Sequence, residues 1–308
     1  MKYFFRTSWI ALLVSQCAFA TIDREIELAI TVDDLPSTSL EHTQTMTQAF
    51  HDHGVRGVYG FINGKRALNS VVADFSNAVL QHWVNSGHFL GNHTYSHSDL
   101  NSTDVAQYEQ DIDANEPWLN FYSSNGQEFN FKYFRFPFLR EGNTLKKRNA
   151  VREVLAKRGY SIAQVTVDFG DYLWSAPYKR CLKKKEIKSL EWLKKSYVDT
   201  AFKSLLGYAA LAKAIFDRPI KHILLFHTSA INADATDLLI QKFKEAGVRF
   251  ISLESALTDS AYTQNPNLPI GGGANFLDQM ARARKVTYPK EPSIPAPPKK
   301  KLASICRD

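Results

Sequence analysis

What most limits the fold of this chain is its alternation. Short apolar runs rich in β-branched residues, at about 27–34, 55–62, 88–91, 132–138, 162–168, 222–227 and 249–253, are separated by stretches of helical spacing at about 43–53, 71–86, 103–122, 145–158, 187–216 and 235–246. Strands that take turns with helices are joined by crossovers, and crossovers make them parallel. Roughly seven such units predict an α/β fold: a distorted, closed or nearly closed (β/α) barrel with about seven parallel strands. With 308 residues, 44% of them hydrophobic, the chain can bury a core of that size.

In such a barrel the C-terminal ends of the strands carry the site. Asp33 and Asp34, His93 and His97, Arg135, Asp168 and His227 all fall at or just past those ends, so one pocket can collect them. Asp33 and Asp34 close the run Leu28-Ala29-Ile30-Thr31-Val32. Two adjacent carboxylates at the edge of a core repel each other and are costly to desolvate unless a cation sits close by. Neighbours on a strand point in opposite directions, so such a pair can divide its work between a metal and a water. Four residues apart, His93 and His97 can meet one cation from the same side if their segment is helical or tightly turned. A His, His, carboxylate set leaves a zinc position open for water. Each signal alone has an ordinary reading: a solvated histidine pair, or aspartates capping a turn.

Taken together and in order, five stretches resemble the motifs of the polysaccharide deacetylases with a NodB homology domain, carbohydrate esterase family 4. They are Thr31-Val32-Asp33-Asp34, His93-Thr94-Tyr95-Ser96-His97, Arg135-Phe136-Pro137-Phe138, Asp168-Phe169-Gly170-Asp171-Tyr172 and Leu224-Leu225-Phe226-His227. The resemblance runs from Ile26 to about Ser255 and itself implies a distorted (β/α) barrel. It implies that Asp34, His93 and His97 bind a divalent metal, usually zinc, that Asp33 is the general base and His227 the general acid, that Arg135 orients the base and that Asp168 supports the acid. The expected substrate is an N-acetylated glycan: an envelope polysaccharide, peptidoglycan or chitooligosaccharide. Val32, Tyr172 and Phe138 stand where the family commonly has Phe, Trp and Tyr, departures that bear on substrate rather than reaction. Trp174, Tyr172 and Phe138 read equally as core residues or as a stacking platform for a sugar, and His51, His53, His82 and His88 read as non-ligands. The rival readings are a hydrolase of a small amide or O-acetyl ester, and a non-catalytic glycan-binding protein.

Residues 1–20 read as a signal peptide, with Lys2 and Arg6 ahead of an apolar stretch and Ala18-Phe19-Ala20 as the cleavage site. A lipoprotein site at Cys17 is the weaker reading, because Gln16 fits a lipidation site poorly. The mature protein is therefore expected to be periplasmic or secreted, with a deacetylase domain over 21–285 and a Pro- and Lys-rich disordered tail over 286–308. No later run is long and apolar enough to span a bilayer, and no basic-aromatic module points to nucleic acid. The net charge of +7 partly sits in Lys183, Lys184, Lys185, Lys194 and Lys195 and in the tail's Lys299, Lys300 and Lys301. A basic exported protein suits anionic envelope polymers, although most charge runs are solvated faces. Cys181 and Cys306 can pair in an oxidising compartment, or stay apart if the tail is mobile.

Overall fold

The computed structural model of the chain describes residues 26–67, 73–124 and 129–307, so the signal-peptide reading lies outside the described residues. Seven parallel strands build one sheet: β1 Glu27–Leu35, β2 Tyr59–Ile62, β3 Phe89–Asn92, β4 Tyr133–Phe134, β5 Ser161–Ile162, β6 His222–His227 and β7 Arg249–Phe250. Their order is β5-β4-β3-β2-β1-β6, with β7 paired to the start of β1. The helices are α1 Leu40–Asp52, α2 Gly64–Ala67, α3 Ala73–Asn85, α4 Val105–Ser124, α5 Leu145–Lys157, α6 Ser175–Lys184, α7 Ile187–Phe216, α8 Ala230–Glu245, α9 Leu253–Leu257, α10 Phe276–Arg284 and α11 Lys299–Ser304.

Strand β1 is the axis of the molecule, and its pleat explains why. Leu28, Ile30 and Val32 turn to the large apolar cluster that the helices share, whereas Ala29 belongs to a second cluster with Tyr59, Phe61, Ala163 and Ile223. Thr31 and Asp33 follow Ala29 on that second face, so polar groups reach the strand's end inside the barrel. Buried on both sides, β1 has the near-continuous apolar run expected of a parallel strand.

The barrel closes without a ladder between its outer strands. Past β5 the chain crosses to β6, where Thr166 N and Val167 N donate to Ile223 O at 3.0 Å each and Leu225 N donates to Val167 O at 3.1 Å. This irregular seam is the distortion in the predicted barrel. It also explains why β4 and β5 are only two residues each, shorter than expected: Pro137 starts a 3₁₀ turn, and the chain beyond Ile162 leaves its neighbour to make the seam. Helix α7 is continuous over 30 residues.

The C-terminal reading is corrected. Residues 286–307 are not a disordered tail but a strap packed on the helices. The strap crosses α7 at Gly207, where a Cβ would sit 2.8 Å from Ser293 and Ile294, and ends in α11, whose Leu302 is buried. Cys306 is bonded to Cys181 of α6. Proline and lysine content describes average solubility; two local anchors and a covalent bond override it.

Candidate active site

Both aspartates stand at the C-terminal end of β1, and the next strand over brings His227 level with Asp33. The buried Arg135, just past β4, fixes Asp33. Its Nη1 donates to Asp33 Oδ1 at 3.0 Å and Oδ2 at 3.2 Å, its Nη2 to Thr31 Oγ1 at 3.1 Å and its Nε to Ala163 O at 2.6 Å. A guanidinium tied to strand and seam can hold a carboxylate in one orientation. Burial lowers the Arg135 pKa, against the charge of Asp33.

Asp34 leaves the extended conformation, with φ +67°, so its carboxylate turns toward the two histidines. His93 and His97 do not lie on a helical turn: both stand in the loop after β3, where Thr94 and His97 have φ +58°. That loop is pinned from below, since Asn63 Nδ2 donates to His93 O at 2.8 Å and Asn92 Oδ1 accepts from Thr94 N at 2.9 Å. His93 Nδ1 lies 2.7 Å from the Arg135 carbonyl, which can only accept, so Nδ1 carries the proton and Nε2 keeps its lone pair.

One ligand atom from each of Asp34, His93 and His97 fits in a cluster within 4.8 Å of one another. Asp34 Oδ1 lies 3.1 Å from His97 Nε2 and 3.7 Å from His93 Nε2, yet it is buried without a hydrogen bond. Two ring nitrogens converging on a buried carboxylate oxygen suit a cation, and two imidazoles with one carboxylate are a set that zinc takes. The residues therefore fit a divalent metal. Arg66 supports Asp34 from behind, with Nη1 donating to its backbone carbonyl at 2.8 Å and Nη2 3.4 Å from Oδ2.

Electrostatics favour the same states. Burial would push Asp34 up, but the close approach of His97 and the charges of His93, Arg66 and His97 hold it well below the usual carboxylate range. Burial pulls His93 down to about 4 against the charges of Asp33 and Asp34, so it is neutral, as a ligand must be.

Across the cleft, His227 is paired with Asp171, not with Asp168 as expected. His227 Nδ1 lies 2.8 Å from Asp171 Oδ1, His227 N donates to Asp171 Oδ2 at 2.8 Å, and Asn232 Nδ2 donates to that oxygen at 2.6 Å. Burial alone would lower His227, but the charge and hydrogen bond of Asp171, with Asp33 and Asp34 beyond, raise it to about 10. Asp168 accepts from Gly170 N at 2.8 Å and lines the cleft, its pKa raised by burial. The correction has a simple cause. Gly170, with φ +69°, turns the chain into a 3₁₀ turn at Asp171–Trp174, and that turn carries the second carboxylate of the motif, not the first, under His227.

The cleft has a volume of about 660 Å³ and takes in Asp33, Asp34, His93, His97, Asp168 and His227. Two exposed aromatics flank it. Phe138 lies 4.4 Å from the His97 ring on one side, and Tyr172 lies 6.2 Å from the His227 ring on the other. Trp174 is core, its Nε1 donating to Ser196 Oγ at 2.8 Å. His51, His53, His82 and His88 do not line the cleft. Asp171 was legible in principle, as the second acid of its motif; Arg66 carried no signal.

A curled parallel barrel whose strand ends gather a His-His-carboxylate cluster, an arginine-held aspartate and an aspartate-held histidine has the architecture of a hydrolase centre. Residues 22–163 match the family model described as polysaccharide deacetylase. A peptidoglycan-N-acetylglucosamine deacetylase of Bacillus cereus is 26% identical over 245 residues, 79% of this chain and 72% of that protein. A chitin deacetylase of Arthroderma benhamiae is 27% identical over 176 residues, 54% of this chain and 39% of that protein. The solved chitin deacetylase of Colletotrichum lindemuthianum shares the fold, with TM-score 0.53 at 22% identity over 76% of this chain and 88% of that one.

Proposed function

We propose that this protein is an exported, metal-dependent deacetylase that hydrolyses the N-acetyl amide of amino sugars in an envelope polysaccharide, peptidoglycan or chitooligosaccharide. The observation that carries the reading is the pairing of an oriented base and an oriented acid in one cleft: Asp33 held by Arg135, His227 held by Asp171. A glycan-binding module has no use for that pair.

Asp34, His93 and His97 would hold the metal, with zinc the expected ion. When bound it lowers the pKa of a water to about 7 and polarises the acetyl carbonyl. Asp33 faces the same space and takes the proton of the attacking water; Arg135 holds its carboxylate in one orientation and stops it rotating away. Water oxygen bonds to the carbonyl carbon, the C–N bond breaks, and the amine leaves with a proton from His227 Nε2. An amide nitrogen expelled without that proton is a very poor leaving group. Asp171 keeps His227 protonated and aimed, because its carboxylate fixes Nδ1–H and leaves Nε2–H toward the cleft. Phe138 and Tyr172, at opposite edges, are placed to contact the sugar. Export is supported by the Cys181–Cys306 bond, which belongs to an oxidising compartment.

The test is mass spectrometry of acetylated chitooligosaccharides and peptidoglycan fragments incubated with the zinc-loaded protein. Loss of acetyl mass from either class supports the reading. Intact sugars in the presence of bound zinc, with a small amide or acetyl ester cleaved instead, would replace it.

A further inference from the structure

Two lysine-rich stretches take no part in the proposed reaction. Their cysteines are 125 residues apart in sequence, yet the Cys181–Cys306 bond sets them side by side with Cα atoms 5.3 Å apart. Arg180 strengthens the join, with Nη2 donating to Leu302 O at 2.9 Å and Ile305 O at 3.1 Å. Lys301 bridges from the other direction, its ammonium 5.2 Å from the centre of the Trp192 ring. On α6, the turn after it and the start of α7, Lys179, Lys183, Lys185 and Lys188 are exposed, and Lys299 and Lys300 are exposed on α11.

The concentration of charge is large. From 179 to 188 six cations face Glu186 alone, and 299–307 adds four cations and no acid. Those nine net positive charges exceed the +7 of the whole chain, so the remainder is on balance acidic. Basicity here is the property of one corner.

Amid these lysines two aliphatic side chains project into solvent: Ile187 is 63% exposed and Leu182 41%. Lysines alone would suit any polyanion. Aliphatics standing among them suit a surface that is anionic outside and apolar just beneath, which describes a bilayer with anionic headgroups. We propose that the corner made by the α6–α7 turn and α11 docks on an anionic lipid membrane, with Leu182 and Ile187 entering the headgroup layer and the lysines facing lipid phosphates. Among the described residues no helix is long and apolar enough to cross a membrane, so the contact is peripheral. Ser175 opens α6 in the cleft wall, and ten residues of helix reach the corner, about 15 Å at 1.5 Å per residue. Docking therefore brings the cleft near the membrane face. The inference stands apart from the catalytic reading, because none of these residues touches the reacting centre.

The experiment is co-sedimentation of the oxidised protein with vesicles of phosphatidylcholine alone or mixed with phosphatidylglycerol. Binding is expected only to the mixed vesicles, with release at 1 M salt, where the screening length falls to about 3 Å. The triple variant Lys179→Ala, Lys183→Ala, Lys300→Ala should bind about 100-fold more weakly, at about fivefold per lysine. Leu182→Ser with Ile187→Ser should weaken binding about tenfold at unchanged charge. Unchanged circular dichroism and thermal midpoint confirm that the surface variants fold. Binding to heparin but not to vesicles, insensitive to the two serine substitutions, would overturn the proposal in favour of a soluble polyanion. Binding to neither would show a merely solvated corner.

Discussion

The cleft has two walls, and they are built differently. The metal wall comes from the ends of regular strands: Asp33 and Asp34 from β1, His93 and His97 just past β3, Arg135 just past β4. The acid wall takes only His227 from a strand; its partner Asp171 comes from a 3₁₀ turn beside the irregular seam. The chain continues from that turn into α6, which the C-terminal strap holds through Cys306 and the Arg180 contacts. Strand ends set ligand positions through the sheet's own hydrogen bonds. The acid's partner depends instead on packing from sequence far away.

The largest expected effect lies on the metal wall. His93→Ala should abolish stoichiometric zinc binding in calorimetry and reduce deacetylation to background, since Asp34 and His97 alone offer too few ligands. Retained zinc would break the assignment of that wall.

The acid wall yields the next effect and separates two neighbouring acids. Asp171→Asn should lower the rate about 100-fold by loosening the aim and charge of His227, whereas Asp168→Asn should change it less than about tenfold. A pH profile sharpens the contrast. In the proposed mechanism His227 works protonated, so activity should hold below its folded pKa and fall as pH rises through about 10; without the Asp171 charge that fall should begin at lower pH. The same raised pKa contributes stability that is present below the unfolded value of about 6.5 and lost as pH rises toward 10. An unshifted alkaline limb in Asp171→Asn would return the supporting role to another residue.

The smallest effect is on the strap. Cys306→Ser should cost about 2–4 kcal/mol in unfolding free energy, read by denaturant titration, while zinc affinity should stay unchanged because the strap is anchored on α6 and α7 rather than on the strand ends that carry Asp34, His93 and His97. Loss of zinc in that variant would show that the walls are coupled.

These differences mark what could be read from residue order. The strand ending at Asp34 and the strand 222–227 were legible because buried parallel strands are apolar throughout and stop at polar residues. The convergence of Asp34, His93 and His97 was legible because the spacing survives whatever the loop does: His93 and His97 come together through left-handed backbone rather than a helix. Asp171 was visible in its motif but not distinguishable from Asp168, because choosing between two acids three residues apart requires the turn at Gly170, a backbone event. The strap was misread because composition does not reveal that Leu302, Ile294 and Cys306 each have a partner in α6 or α7 or their surroundings.

The measurement that tests the central claim most directly is bound zinc and acetyl release, followed together in the intact protein and in Asp33→Asn. The account predicts full zinc in both, with turnover of an acetylated chitooligosaccharide reduced about 100-fold or more when the base is lost. Asp33→Asn that keeps its zinc and turns over at the intact rate would contradict it.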